Sequence, residues 1–223
     1  MSILATIMNT ATGRPIQKMT FGRMPKPWAS FNLATGELVT AERIDIGKPA
    51  PGNPFIATPN AKPEIYSYGH RNPQSLDINP VTGDLWEAEF GPRGGDEINI
   101  IQAGRNYGWP VISYGINYDG KPITNISKKE GMEQPVSYFI PSIAPSGLTF
   151  MNTDKYPAWK GNLMIGSLRF NYLNRCVIKD NQVVKQEKIL LNVGRLRNVK
   201  LGSDGYLYIG VENPGMVFRV NPN

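Results

Sequence analysis

Cysteine, histidine and long apolar runs are all scarce in this sequence. A single cysteine, Cys176, among 223 residues leaves no partner for an internal disulfide and excludes a thiolate metal cluster. It reads as a small buried hydrophobe. A single histidine, His70, excludes a Ser-His-Asp triad or a multi-histidine metal site unless a partner contributes. A lone histidine can still serve as a general base, or be a hydrogen-bonded structural residue ahead of Arg71-Asn72-Pro73. No run approaches the roughly 18 apolar residues that span a bilayer. The first residues, Met1 to Asn9, lack the basic start and long apolar stretch of a signal peptide. Taken literally, such a chain stays inside the cell. Long helical periodicity is missing as well. Charged residues make up 19% and hydrophobic residues 40%, a balance that suits a packed core and not disorder.

What is plentiful points to turns. Gly 23 and Pro 19 fit a chain of many short strands. Lys+Arg 24 against Asp+Glu 18 gives a net charge of +6. The basic residues are scattered, with only short clusters such as Lys128-Lys129 and Arg195-Leu196-Arg197, so no nucleic-acid footprint is expected. Acidic small molecules suit this charge at least as well.

One pattern recurs: an alternating strand, a turn carrying Gly, then a strand opening on Leu. It runs from Leu76 through Gly83-Asp84 to Trp86, and from Val199 through Asp204-Gly205 to Ile209. Looser copies lie at Phe31 to Val39 and Leu148 to Ile165. Gly-Asp and Asp-Gly between alternating runs are hairpin signals, because the turn needs residues that tolerate positive φ. The architecture is therefore all-β. The spacing fits the blades of a β-propeller with inserted loops, and a generic antiparallel sandwich is the other reading. About four blades of a six-bladed ring would leave two blade faces open, and such faces favour self-association or a missing partner half.

The richest stretch lies between Tyr68 and Pro110. It contains Tyr68-Gly69-His70-Arg71-Asn72-Pro73-Gln74, Glu89-Phe90-Gly91-Pro92-Arg93-Gly94-Gly95-Asp96-Glu97-Ile98-Asn99 and Asn106-Tyr107-Gly108-Trp109-Pro110. Glycine-rich polar loops following apolar strands are where rigid scaffolds place binding sites. Gly91 and Pro92 offer backbone carbonyls, with Asp96 and Glu97 close by; such oxygens suit Ca²⁺, and a solvated acidic turn is the plainer alternative. Arg71 beside Asn72 suits recognition of a planar carboxylate. Arg195 and Arg197, two apart on a strand start, point to one face. Either an anion sits between them, or they mark a solvated strand end.

These ordered motifs, together with Ala144-Pro145-Ser146-Gly147 and Gly166-Ser167-Leu168-Arg169, resemble the soluble glucose/sorbosone dehydrogenases, six-bladed propellers that bind pyrroloquinoline quinone (PQQ) and Ca²⁺. The resemblance covers residues 53–223; residues 1–52 form a poorly matched N-terminal segment with a partial blade. It implies that Arg71, Asn72, Tyr118, Arg169, Arg195 and Arg197 contact the quinone. It implies also that Gly91 and Pro92 hold its calcium, and that Glu97 and Tyr107, with Asp96 as a helper, belong to a second calcium region. Relatives commonly carry Lys where Arg169 stands, so the charge is kept and its geometry altered. The implied activity is oxidation of aldose sugars to lactones. The implied compartment is the periplasm. The family's general base is a histidine in an earlier blade, whereas His70 matches a different one, so no catalytic residue is assigned. A truncated enzyme with little activity alone is expected, and a non-catalytic carbohydrate- or calcium-binding propeller module is the alternative.

Overall fold

In the computed structural model, residues 52–213 and 215–222 are described, together with four short strands nearer the N-terminus. Those four are β1 (Ala5–Asn9), β2 (Pro15–Met19), β3 (Ala29–Phe31) and β4 (Leu38–Thr40). β3 and β4 pair antiparallel, with Phe31 opposite Leu38, where the Phe31 to Val39 repeat is expected. The residues between these two strands lie outside the described ones. β5 (Ile65–His70) follows and pairs with β1.

Three antiparallel meanders make up the remainder. The first is β6 (Pro73–Ile78), β7 (Leu85–Glu89), β8 (Asp96–Ile101) and β9 (Ser137–Phe139). The second is β10 (Pro145–Phe150), β11 (Leu163–Ser167), β12 (Leu173–Lys179) and β13 (Gln182–Ile189). The third is β14 (Arg195–Leu201), β15 (Leu207–Glu212) and β16 (Met216–Val220). One 3₁₀ turn, Pro157–Trp159, interrupts the β10–β11 connection. The chain is all-β, as its turn chemistry predicts.

Each repeat seen in the sequence is the opening hairpin of a sheet. Ile78 faces Leu85 across a turn in which Gly83 takes φ +79°. Leu201 faces Leu207 across a turn with Gly205 at φ +78°. Positive φ strains any residue bearing a Cβ, which explains glycine at these two points.

The sheets pack face to face, and strand alternation decides which side chain meets which neighbour. Leu163 and Ile165 of β11 join Trp86, Ala88 and Ile98 of the first sheet in one core, where Trp86 meets Phe150 edge-on at 5.5 Å. Met164, between them in sequence, faces the other way and packs with Leu196, Val199, Leu207 and Ile209. The middle sheet is thus buried on both sides. Strands β6, β10 and β14 adjoin one another along the inner edge. There Ser75 Oγ donates to the Ser146 carbonyl at 2.5 Å, and Ser146 Oγ donates to that of Leu196 at 2.6 Å. A Cβ on Gly147 would collide with the backbone of Asn198 and Val199, so the close approach of β10 to β14 requires glycine. Radial stacking of four-stranded meanders on their first strands is how propeller blades pack.

Candidate functional site

The site is built on the β7–β8 ladder. Both strands alternate, and their register sets Glu87 opposite Asn99, Ala88 opposite Ile98 and Glu89 opposite Glu97. Trp86, Ala88 and Ile98 therefore face the core, while Glu87, Glu89, Glu97 and Asn99 share the other face. That polar face is not left to solvent. Glu87 and Asn99 are fully enclosed and Glu89 is 4% exposed. The covering comes from β5 and from the loop after β8, tied by Tyr107 N–H to the Tyr68 carbonyl at 2.8 Å and Trp109 N–H to that of Gly69 at 2.8 Å.

Carboxylates gathered this way perturb one another. Burial, and then the Glu89 carboxylate, push Glu97 up to about 8. Glu87 is raised well above the usual carboxylate range by burial first and Glu89 second. The Asn99 amide nitrogen serves three carboxylates, lying 3.1 Å from Glu87 Oε2, 3.3 Å from Glu89 Oε1 and 3.3 Å from Glu97 Oε2. Glu89 Oε2 has a second task, accepting the backbone N–H of Arg71 at 2.7 Å and of Asn72 at 3.0 Å. It holds the Arg71-Asn72 corner in place.

Arg71 reaches over this floor. Its Nη1 donates to the Phe90 carbonyl at 3.0 Å, and its guanidinium lies 5.4 Å from the Trp109 ring and 6.0 Å from the Tyr118 ring. One pocket is lined by Arg71, Glu89, Gly91, Glu97, Tyr107 and Trp109. Four residues singled out in the sequence, Arg71, Gly91, Glu97 and Tyr107, thus come together although they span 36 positions of chain (71 to 107). Tyr107 contributes its ring and main chain: its hydroxyl is committed, donating to the Ile100 carbonyl at 2.6 Å and accepting from Gln102 N–H at 2.9 Å. Burial pushes that hydroxyl's pKa far upward.

Asp96 ties this loop to the next sheet. One carboxylate oxygen accepts Gly91 N–H at 2.8 Å; the other accepts Ile143 N–H at 2.7 Å and Ala144 N–H at 3.0 Å. Gly91 and Pro92 are buried beneath the loop, and a Cβ on Gly91 would strike the Gly94 carbonyl.

The remaining arginines do not line this pocket. They stand at the same end of the adjoining sheets, because Arg71 precedes β6, the 90–95 loop joins β7 to β8, Arg169 follows β11 and Arg195 opens β14. Arg169 Nη1 donates to the Ser142 carbonyl at 3.3 Å, and Arg195 Nη1 to that of Leu168 at 3.3 Å. Arg195 and Arg197 share a face, as alternation requires, and a carboxylate of the chain itself lies between them. It is Glu212, whose carboxylate lies 3.1 Å from Arg195 Nε and 2.6 Å from Arg197 Nε. Glu212 escaped the sequence reading because its pairing depends on the β14–β15 register, Arg195 opposite Glu212. Both guanidiniums and the carboxylate remain partly exposed. Tyr118 is 71% exposed at the pocket's outer edge.

His70 is not available to a substrate. It is fully buried, its Nε2 lies 2.9 Å from Ser67 Oγ, and its ring stacks on Tyr107 at 4.5 Å. Missed in the sequence were Glu87 and Asn99. The signal was present, since the acidic positions 87 and 89 and the polar positions 97 and 99 each repeat with period two inside apolar strands.

Comparison with known proteins identifies the family. The Glucose / Sorbosone dehydrogenase family pattern matches residues 30–219. The aldose sugar dehydrogenase YliI of Escherichia coli is 44% identical over 182 residues, covering 80% of this chain and 49% of that protein. A crystal structure of the E. coli soluble aldose sugar dehydrogenase in its apo-form superposes with TM-score 0.74 at 43% identity, covering 78% of this chain and 51% of the other. The PQQ-bound form of aldose sugar dehydrogenase from Streptomyces coelicolor gives TM-score 0.58 at 29% identity, with 78% and 49% covered. The chain spans about half the length of the relatives it matches. Among the described residues, no helix is long and apolar enough to cross a membrane. With its sequence motifs, its meander sheets and its clustered site residues in agreement, the chain belongs to the glucose/sorbosone dehydrogenase family.

Proposed function

We propose that this chain forms the quinone- and calcium-binding part of a propeller enzyme that oxidises aldose sugars to lactones, acting in the periplasm with further blades that complete the ring. The observation that carries this reading is the convergence of Arg71, Gly91, Glu97 and Tyr107 on one pocket.

The donor set fits both groups. PQQ is a planar tricarboxylate, and a guanidinium flanked by two aromatic rings suits a planar anion. Arg71, Asn72, Tyr118, Arg169, Arg195 and Arg197 would hold it. One carboxylate, Glu212, serves two of these arginines, Arg195 and Arg197. A Cβ at Gly91 would strike the loop's own backbone at Gly94 and Gly95, so glycine there lets the 90–95 loop fold tightly on itself. Calcium suits the carbonyls of Gly91 and Pro92, and a second ion suits Glu97 with the Tyr107 main chain. When bound, the quinone supplies hydride acceptance, polarised by its neighbouring ion.

The chain's own residues bind and orient. Glu89 fixes the Arg71-Asn72 corner, Asp96 fixes the 90–95 loop against the β9–β10 connection, and Trp109 walls one side of Arg71. Proton removal from the sugar is left to residues outside this set, because the one histidine is enclosed.

The test is reconstitution. Purified chain with PQQ and Ca²⁺ should shift the quinone absorbance, and Arg71→Ala should weaken binding about 10- to 100-fold, the worth of one charge-assisted contact. Dye reduction with glucose should stay near background until the remaining blades are supplied. Absence of any absorbance shift overturns the cofactor reading. A non-catalytic calcium-binding module predicts a calcium response without the quinone one.

A further inference from the structure

The quinone and calcium reading leaves His70, Glu87 and Asn99 without a role, yet they are the most enclosed polar groups of the site. Their electrostatics do not close. Glu89 and Glu97 stand directly opposite each other on β7 and β8, and like charges in that relation are destabilising. Among the described residues no lysine or arginine pairs with Glu87, Glu89 or Glu97. Arg71 lines the same pocket, and its Nη1 donates to the Phe90 carbonyl. Asn99 has one amide nitrogen, with two N–H bonds, for three carboxylates. Glu87 Oε1, Asn99 Oδ1 and His70 Nδ1 are buried and lack any hydrogen-bond partner.

The arrangement around His70 is the sharpest of these. In the tautomer that carries its proton on Nε2, towards Ser67 Oγ at 2.9 Å, Nδ1 presents a lone pair to Glu89 Oε1 at 3.6 Å. Two acceptors then face each other. Ligand atoms of His70, Glu87 and Glu89 all lie within 4.8 Å of one another. The ligand atoms around one tetrahedral ion stand about 3.4 Å apart at the usual bond lengths. Small rotamer adjustments close the difference.

We propose that His70 Nδ1, Glu87 and Glu89 hold one divalent metal ion of the Zn²⁺/Mn²⁺ class behind the quinone pocket. Imidazole nitrogen with two carboxylates suits such an ion, whereas Ca²⁺ takes oxygen ligands alone. The outer shell is in place: Ser67 holds Nε2 of the imidazole and Asn99 steadies both carboxylates. Entry runs through the pocket that Glu89 lines. The ion neutralises the floor under Arg71, and through Glu89 it stiffens the corner that carries Arg71 and Asn72. This goes beyond the calcium assignment, which uses Glu97 and Tyr107 and no nitrogen.

The single histidine makes the test clean. The chain, purified without a histidine tag, labelled at histidine and stripped with chelator, gives one imidazole in its nitrogen-resolved NMR spectrum. One equivalent of Zn²⁺ should move the Nδ1 resonance to a new position, and Mn²⁺ should broaden it away. Ca²⁺ alone should do neither. Glu87→Gln, equal in shape, should weaken Zn²⁺ binding at least about tenfold in calorimetry. An imidazole unmoved by Zn²⁺ and Mn²⁺, or a Glu87→Gln chain binding Zn²⁺ as before, overturns the proposal and leaves shared protons as what neutralises the cluster. Should Glu87→Gln fail to fold, the imidazole response of the native chain decides by itself. Quinone absorbance is read separately, so loss of either reading leaves the other standing.

Discussion

At the residue scale, single carboxylates do most of the positioning. Asp96 is fully buried and accepts three backbone N–H groups from two sheets. Asparagine there would turn an amine towards N–H donors on one side. Asp96→Asn should therefore cost about 2–4 kcal/mol in urea unfolding, since charge-assisted acceptors are lost and buried donors stranded. It should also loosen quinone binding by freeing the 90–95 loop. Cys176 illustrates the opposite case, a group kept inert. Burial pushes its thiol up to about 12, so the thiolate is suppressed in the folded chain. Alkylation at pH 8 should be slow until denaturant is added, as followed by mass spectrometry. The sign of the pH effect follows from linkage. The unfolded thiol ionises near 9 while the folded one keeps its proton, so stability falls as pH rises from about 9 towards 12, and Cys176→Ala should flatten that limb.

At the element scale, alternation decides almost everything, and the two faces of β7–β8 show both its reach and its limit. Trp86-Glu87-Ala88-Glu89 reads as a strand with one apolar and one polar side, which is correct. On an ordinary surface sheet the polar side meets water. Here β5 and the loop after β8 close over it, and no local pattern announces that covering. The β14 strand is the simpler case. Leu196 faces inward between two outward arginines and is fully buried among Met164, Leu207 and Ile209. Leu196→Ala should cost about 2–5 kcal/mol by chemical denaturation, from lost burial and the cavity left behind. It should also disturb Arg195 and Arg197, which the same strand presents. A measured loss below about 1 kcal/mol would mean the inner edge is looser than its hydrogen bonds imply.

At the scale of the whole molecule, the sheets differ in completeness. Two meanders have four strands, and the third has three. The outer side of β16 pairs with no further strand among the described residues, and it carries Met216 at 43% and Val217 at 75% exposure. An unpaired, apolar edge is a template for another chain. The isolated chain should therefore show a concentration-dependent mass above the monomer in light scattering, and Val217→Lys should reduce it. A monomer at every concentration would count against open blade faces.

Turn glycines and period-two strands were enough, by themselves, to determine the all-β class and the opening hairpin of each of the three meanders, and the motif set marked Arg71, Gly91 and Tyr107, which line one pocket. These are local properties: a positive φ, an alternation, a short motif each leave their mark within a few positions. Only the tertiary structure decided that Glu212 bridges Arg195 and Arg197, that Asp96 joins two sheets and that Glu87, Asn99 and His70 are shut away together. Those pairings depend on strand register and on what covers a face, and both are set by packing between segments far apart along the chain.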